Sequence, residues 1–230
     1  MRLLVVGRGR MGTLVETLAP SYGFEVAGAI DENANAGAAG LTAEVCRGID
    51  VAVEFTVPSA APANLAALAA HGVDTVVGTT GWHERMPELR QVVADAGIGV
   101  VVSANFSVGV ALFERLVERA GALMAGHPTY GAWIHELHHA AKLDAPSGTA
   151  RLLADALSRS GYTARVDVAS TRAGAIPGTH TVGFDGPAET ITLTHTVRDR
   201  ATFAHGALTA ARWVAGRRGW FTMRDVVALD

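Results

Sequence analysis

The chain has 230 residues, of which 49% are hydrophobic and 18% charged, a composition typical of a globular protein with a substantial core. Its formal net charge of −3 leaves no excess of lysine and arginine for non-specific binding to nucleic acid. The single cysteine, Cys46, excludes an intrachain disulfide, and no apolar run approaches the length of a signal peptide or a membrane span, so we expect a cytoplasmic protein.

Short apolar runs alternate with helical patterns through the first half of the chain. The runs predict five strands, at residues 3–7, 24–31, 49–55, 73–78 and 98–103. Helical patterns follow the first, third, fourth and fifth runs. Such alternation is typical of an α/β fold, and we predict a Rossmann-type, doubly wound parallel sheet with right-handed crossovers.

The pattern changes after about Gly126. Strand-like, mostly alternating segments lie at residues 132–139, 164–170, 179–185 and 189–197, with one clear helix among them. They predict a second, α+β domain built on a mixed or antiparallel sheet. A helical pattern returns after Arg200.

A glycine motif lies between the first strand and the first helix. Gly7, Gly9 and Gly12 form G-x-G-x-x-G, in which the first glycine permits a tight turn and the second lets the backbone approach a pyrophosphate. The third allows the helix to pack closely on the sheet, and its N-terminus then faces the phosphates. Asp31 ends the second strand, where a carboxylate can accept hydrogen bonds from a ribose hydroxyl. The motif therefore predicts a dinucleotide site.

The choice of nicotinamide cofactor stays open. Asp31 disfavours a 2′-phosphate, which favours NADH, whereas Arg8 and Arg10 could reach that phosphate and favour NADPH. Residues 78–82 and 103–107 follow the fourth and fifth strands, at the edge where open parallel sheets bind ligands.

The stretch HELHHAAKLDAPSGTARLL, residues 135–153, contains most of the candidate catalytic and substrate-binding groups. We expect a helix to start at residues 144–147, with a capping side chain and Pro146 in its first turn. Gly148 and Thr149 would offer amides and a hydroxyl to a carboxylate, and Lys142 would add a positive charge. A nearby histidine can deliver a proton. Zinc bound by His135, His138 and His139 is the alternative, but no cysteine and no familiar ligand spacing supports it.

These residues resemble one family. The segment ELHHAAKLDAPSGTA is similar to the signature of the 4-hydroxy-tetrahydrodipicolinate reductases, which act in the diaminopimelate route to lysine. GRMG, EFT, GTTGW and ANFSVGV match the cofactor half of that family, and IPGTHTVGFD, RDRATFAHGA and MRD match the remainder in order. The resemblance implies NADH- or NADPH-dependent reduction of a cyclic dicarboxylate, in which hydride and a proton are added to neighbouring carbons.

The resemblance also implies site residues. His138 would donate the proton, and Lys142 would hold or polarise the substrate. His139, Gly148 and Thr149 would bind substrate carboxylates, with Ser147 close by. The cofactor would be surrounded by thirteen positions: Gly7, Arg8, Gly9, Arg10, Met11, Gly12, Asp31, Gly78, Thr79, Thr80, Ala104, Asn105 and Phe106. No metal is expected.

The family organisation implies a dinucleotide-binding domain formed by residues 1–107 and 200–230, and a domain for substrate binding and oligomerisation at residues 108–199. Members are usually homotetramers joined through the sheets of the second domain. Two alternatives stay open: another Rossmann-type amino-acid dehydrogenase, similar to aspartate dehydrogenase, and a nucleotide-sensing protein without catalysis. The first would not need the DAPSGT segment beside two histidines, and the second would be expected to have lost His138 or Lys142.

Overall fold

The computed structural model describes residues 1–228, and the chain divides into two compact units. The first unit joins Met1–Val108 to the segment that begins at Ala201, and the second unit is Gly109–Arg200. Within residues 1–228, no helix is both long enough and apolar enough to cross a membrane.

The first unit is a parallel sheet with its connecting helices. Its elements are β1 (Arg2–Val6), α1 (Arg10–Leu18), β2 (Glu25–Ile30), α2 (Ala43–Cys46), β3 (Val51–Glu54), α3 (Ala61–Ala70), β4 (Asp74–Val77), α4 (Met86–Ala96), β5 (Gly99–Val102), α7 (Ala201–Val214), β10 (Gly219–Phe221) and α8 (Met223–Val226). The six strands lie in the order β10-β5-β4-β3-β1-β2, and every neighbouring pair is parallel. This is the predicted doubly wound sheet.

Helices cover this sheet on both faces, which explains why its strands are apolar runs rather than alternating patterns. All of β3 is buried, as are the last four residues of β1. On one face, Leu4 and Val6 pack with Leu68 of α3. On the other, α7 packs against the central strands and against α1. The side chains of the strand interiors are therefore committed to packing, and ligands can meet the sheet only at its ends.

The second unit has a mixed sheet. Its elements are α5 (Val108–Met124, which starts at the boundary), β6 (Gly131–His138), α6 (Gly148–Arg159), β7 (Val166–Arg172), β8 (Thr179–Asp185) and β9 (Thr190–Thr196). The strand order is β7-β6-β8-β9; β6 pairs parallel with β7 and antiparallel with β8, and β8 pairs antiparallel with β9. The predicted mixed sheet is confirmed.

One face of the mixed sheet carries the core of the second unit. Ile134 of β6 and Phe184 of β8 pack with Leu153 of α6 and Val117 of α5. In β6 buried and half-buried residues alternate, as expected for a strand with one covered face. Every residue of β7 and β9 is exposed or half-buried. The covered face of β6 therefore selects which side chains of this strand can meet in a buried site.

Two details differ from the sequence-based expectation. A sixth strand, β10, extends the parallel sheet beside β5; with three half-buried residues, it is too short for a periodic signal. The predicted first turn of α6 is also wrong. Ser147 is the N-cap, α6 begins at Gly148, and Pro146 precedes the cap after a cis peptide bond. The Ser147 Oγ accepts a hydrogen bond from the Ala150 N–H at 3.2 Å, which fixes the helix start there.

Candidate active site

The glycine turn after β1 is shaped by close backbone contacts. Gly7 has a φ of +98°, and a Cβ on it would lie 2.1 Å from the carbonyl oxygen of Phe55. A Cβ on Gly12 would lie 1.8 Å from the carbonyl oxygen of Gly7. Gly9, the N-cap of α1, is different, because nothing lies within 4 Å of the position its Cβ would take. The turn is thus tightly closed on the protein side and open in front of the α1 N-terminus.

The other predicted cofactor segments lie at the same edge of the sheet. Phe55, directly after β3, fills the space beside Gly78, whose Cβ would lie 1.9 Å from the Phe55 ring. The Phe106 ring meets the Phe55 ring edge-on at 6.0 Å. The Thr56 N–H donates to Thr79 Oγ1 at 2.7 Å. The segments after β1, β3, β4 and β5 therefore form one continuous surface at the carboxyl ends of the strands.

Two of the three residues considered for cofactor preference, Asp31 and Arg8, already have partners in the chain. Asp31 Oδ1 accepts hydrogen bonds from the N–H groups of Asn33 and Ala34, at 3.0 and 3.1 Å, and so shapes its own turn. Arg8 Nε lies 3.2 Å from Glu16 Oε2 in an ion pair on the surface. Arg8 must therefore leave Glu16, or share it, before it can contact a phosphate.

The remaining predicted cofactor residues flank this surface. Arg10 begins α1 and is exposed, while Met11 is half-buried in the same helical turn. Thr80 and Ala104 are exposed in the turns after β4 and β5, and Asn105 is half-buried beside Ala104.

In the second unit, a cluster of polar side chains lies at the end of the covered face of β6. Glu136 and His138 continue the row that begins with Ala132 and Ile134, and both are buried. Because β-strand side chains alternate, residues two apart share a face. His139 lies beyond the end of β6 and is half-buried. The strand therefore presents one of the two neighbouring histidines to the buried cluster, as the alternation predicts.

The start of α6 adjoins this cluster. Ser147 is buried, and its N–H donates to Glu136 Oε1 at 2.9 Å. Gly148 is exposed, with nothing within 4 Å of the position of a Cβ, and Thr149 is half-buried. The first amides of a helix lack intrahelical partners and favour an anion. The helix start thus offers an open place for a carboxylate beside a histidine.

Lys142 lies in the loop between β6 and α6. Its Nζ donates to Asp144 Oδ1 at 2.6 Å, and the Lys142 N–H donates to the carbonyl of His139 at 3.1 Å. The positive charge of Lys142 is close enough to His138 to help lower the pKa of that imidazole. A substrate carboxylate could therefore exchange with Asp144 for Lys142 next to the histidine.

Three residues of this cluster were missed in the sequence: Glu136, Arg172 and His180. Arg172 Nη2 donates to Glu136 Oε1 at 2.7 Å, and His180 Nε2 lies 3.1 Å from Ser147 Oγ. Glu136 had a signal in the sequence, because it lies two residues before His138 on an alternating strand. Arg172 and His180 are brought in by pairing with β7 and β8, which no local pattern reveals.

Burial and charge shift the pKa values of the cluster. Burial lowers the pKa of His138, and Lys142 and Arg172 lower it further, while Glu136 opposes them. Burial alone would raise the pKa of Glu136, but hydrogen bonds from Ser147, Ser170 and Arg172 outweigh burial and lower this pKa to about 2. Burial lowers the pKa of His180 to about 4. At neutral pH the cluster therefore holds a carboxylate and a neutral His180.

Glu136, His138 and His180 also place three possible metal-ligand atoms within 4.8 Å of one another. The guanidinium of Arg172 lies against the same carboxylate and disfavours a cation there. His135, which the zinc alternative needs, is half-buried and hydrogen-bonded through Nε2 to Thr171 Oγ1 at 3.0 Å. We therefore interpret the cluster as a hydrogen-bonded acid–base group.

Comparison with known proteins gives one consistent result. The family model described as "Dihydrodipicolinate reductase, N-terminus" matches residues 1–106, and the model described as "Dihydrodipicolinate reductase, C-terminus" matches residues 109–227. Together the two models span nearly the whole chain.

Individual relatives agree along their full lengths. A 4-hydroxy-tetrahydrodipicolinate reductase of Methanoregula boonei is 40% identical, covering 96% of this chain and 95% of the relative. The reductase of the same name from Rhodopseudomonas palustris is 37% identical, covering 100% and 98%. Among solved structures, a dipicolinate-bound dihydrodipicolinate reductase from Paenisporosarcina sp. TG-14 shares the fold, with a TM-score of 0.84, 22% identity and 99% of each chain covered.

Proposed function

Because this chain belongs to the dihydrodipicolinate reductase family, we propose that it reduces 4-hydroxy-tetrahydrodipicolinate to tetrahydrodipicolinate with NADH or NADPH, in the diaminopimelate route to lysine. The observation that carries the proposal is the buried His138 beside the helix start at Ser147, in a chain that matches its reductase relatives end to end. Such a site suits a carboxylate substrate that must receive a proton.

The first unit fits a nicotinamide dinucleotide. Open space in front of Gly9 leaves room for a pyrophosphate at the N-terminus of α1, and any side chain at this position would project into that space. Asp31 Oδ2 is available to a ribose hydroxyl, since Oδ1 is committed to the turn. We assign Gly78–Thr80 and Ala104–Phe106 to the rest of the cofactor surface. When bound, the reduced nicotinamide supplies hydride.

The second unit would hold the substrate and supply the proton. The amides at Gly148 and Thr149, with the Thr149 hydroxyl, would bind one carboxylate, and His139 would contact the substrate beside them. Lys142 would exchange Asp144 for a substrate carboxylate and hold the ring in place. Once the 4-hydroxyl of the substrate has left as water, His138 in its imidazolium form would give a proton to the carbon next to the one that receives hydride, and solvent would restore that proton.

We further infer a cytoplasmic homotetramer. The exposed face of the mixed sheet supports assembly through this unit, because β7 and β9 present apolar side chains such as Val168 and Ile191 on the surface. A buried Cys46, whose pKa burial raises, is compatible with a reducing compartment. Light scattering coupled to gel filtration would measure the number of subunits, and a mass near 23.9 kDa would refute the tetramer.

The function is tested by following nicotinamide absorbance with freshly made 4-hydroxy-tetrahydrodipicolinate and with NADH or NADPH in parallel. We expect substrate-dependent oxidation of at least one of the two cofactors. Oxaloacetate with ammonia tests the aspartate dehydrogenase alternative under the same conditions. Cofactor binding without turnover of either substrate would refute the reductase and favour the nucleotide-sensing protein.

A further inference from the structure

Glu136 is an ionised group at the centre of the second unit, and the proposed reaction assigns no role to it. Its side chain is fully buried, and its pKa is lowered to about 2, so it carries a charge at every pH at which an enzyme of this kind works. Buried charges are costly unless they are paired and hydrogen-bonded. The way in which its two oxygens are paired points to a role.

The two oxygens of Glu136 have different partners. Oε1 accepts three hydrogen bonds, from Ser147 N–H at 2.9 Å, Ser170 Oγ at 2.6 Å and Arg172 Nη2 at 2.7 Å. Oε2 lies 3.0 Å from His138 Nδ1 and 3.6 Å from His180 Nε2. Oε1 therefore fixes the carboxylate in the fold, whereas Oε2 has no hydrogen bond within residues 1–228 and lies at ion-pair distance from the imidazole of His138.

The opposite edge of the same imidazole faces a glycine. A Cβ on Gly178 would lie 3.3 Å from both Cδ2 and Nε2 of His138. The absence of a side chain keeps that edge uncrowded. With Nδ1 turned to Glu136, Nε2 is the nitrogen that remains to deliver a proton.

We propose that Glu136 is the positioning residue of the proton donor: its charge, with Oε2 3.0 Å from Nδ1 of His138, favours a proton on that nitrogen and supports the imidazolium that releases a proton from Nε2. The proposal rests on the reductase function proposed above. In the step itself the N–H bond at Nε2 breaks and a C–H bond forms on the substrate. The neutral ring keeps its Nδ1 proton against Glu136, and a solvent proton returns to Nε2.

The charges around His138 show why an anion is needed. Glu136 on β6 and Asp144 in the following loop favour its protonation, whereas Lys142 in that loop and Arg172 on β7 oppose it. His180 on β8 faces the same ring, with centroids 5.0 Å apart, and its low pKa keeps it neutral. Burial also lowers the pKa of His138. Glu136, the anion in direct contact, is the main group that offsets burial and the two cations.

The test is the pH dependence of kcat in Glu136→Gln, Glu136→Asp and Ser170→Ala, all in the full-length protein. Because His138 must be protonated to act, kcat falls as pH rises through its pKa in the complex. Loss of the adjacent charge lowers this pKa, so in Glu136→Gln the fall should move to lower pH by about one unit. We expect kcat at neutral pH to fall about tenfold or more. Glu136→Asp keeps the charge, so its kcat should fall at a pH close to that of the wild type.

Ser170→Ala is the matched control, because it removes one donor from Oε1 and leaves Oε2 in place. In Ser170→Ala, kcat should fall at the same pH as in the wild type. A profile in Glu136→Gln that is lowered equally at all pH values would show a purely structural role and overturn the proposal. Circular dichroism and urea denaturation of each variant report whether the second unit, which contains Glu136 and Ser170, has folded.

A measurement on the wild-type protein covers the case in which the Glu136 variants do not fold. In protein labelled with ¹⁵N-histidine, the ring-nitrogen shifts of His138, assigned with His138→Gln, report which nitrogen carries the proton in the neutral ring. We expect the proton on Nδ1, and a proton on Nε2 would overturn the proposal. This experiment needs no turnover, so it separates a failure of the Glu136 role from a failure of the proposed reaction.

Discussion

The two sheets of this protein use the covered face of a strand in different ways. In the parallel sheet every central strand is packed on both faces, so polar ligand-binding groups are confined to the turns at the strand ends. In the mixed sheet β6 has one covered face, and its row of buried residues changes from Ala132 and Ile134 to Glu136 and His138 within a single strand. The first arrangement suits a large cofactor laid across an edge, and the second suits an acid–base group held rigidly beside the core.

The largest expected effect tests whether the chemistry lies in the mixed sheet. His138→Ala removes the proposed proton donor, and we expect kcat to fall by about 10²–10⁴-fold. Steady-state nicotinamide oxidation measures the loss. His127→Ala is the matched control, because His127 is exposed between α5 and β6. A near-normal kcat in His138→Ala would show that another residue donates the proton.

A second substitution tests whether that site depends on the core beneath it. Leu153 of α6 is fully buried in the core of the second unit, and Leu153→Ala should lower the free energy of unfolding by about 2–5 kcal/mol. Leu123 lies on α5, is 59% exposed and provides the control. Leu123→Ala should change the free energy of unfolding by less than about 0.5 kcal/mol. Urea denaturation of both variants makes the comparison. Equal effects would contradict a core on one face of the mixed sheet.

In the parallel sheet, two glycines of the same turn should respond differently. A Cβ at Gly12 would collide with the Gly7 carbonyl, so we expect Gly12→Ala to lower the free energy of unfolding by about 1–3 kcal/mol. A Cβ at Gly9 meets nothing within 4 Å, and Gly9→Ala should unfold like the wild type. Thermal unfolding without cofactor tests both. A destabilised Gly9→Ala would show that the space in front of α1 is not open.

The smallest expected effect concerns cofactor preference. Glu16→Gln breaks the exposed Arg8–Glu16 pair, and such pairs are worth about 0.2–1 kcal/mol. Release of Arg8 toward a 2′-phosphate should therefore lower the KM for NADPH by at most about fivefold. The KM for NADH should stay constant, which serves as the internal control. An equal change in both values would mean that Arg8 does not contact the 2′-phosphate.

The parallel sheet could be predicted more completely than the mixed sheet. Strands buried on both faces appear in the sequence as apolar runs, and the glycine motif marks the turn that follows the first one. The missed strand β10 is three residues long and pairs with β5, which is distant in the sequence. Its position depends on tertiary packing rather than on a local pattern.

The candidate site in the second unit was only partly predictable. His138, Lys142 and the helix start come from one continuous segment, so local reasoning found them. Arg172 lies 36 residues from its partner Glu136, and His180 lies 33 residues from Ser147. Strand pairing brings them together. Pro146 was misplaced because the helix begins only at Gly148: the Ser147 side chain caps it, and the backbone N–H of Ser147 donates to Glu136.

The assignment of cofactor binding to the parallel sheet and substrate binding to the mixed sheet is tested most directly by steady-state kinetics of Gly9→Ala and Thr149→Val. KM values for cofactor and for 4-hydroxy-tetrahydrodipicolinate would be measured for both variants. We predict that Gly9→Ala raises the cofactor KM about tenfold, or about 1.4 kcal/mol, with the substrate KM within about twofold. Thr149→Val should raise the substrate KM about tenfold and leave the cofactor KM within about twofold. If both variants raised the same KM, or if Thr149→Val raised only that of the cofactor, the assignment of cofactor and substrate to separate sheets would be contradicted.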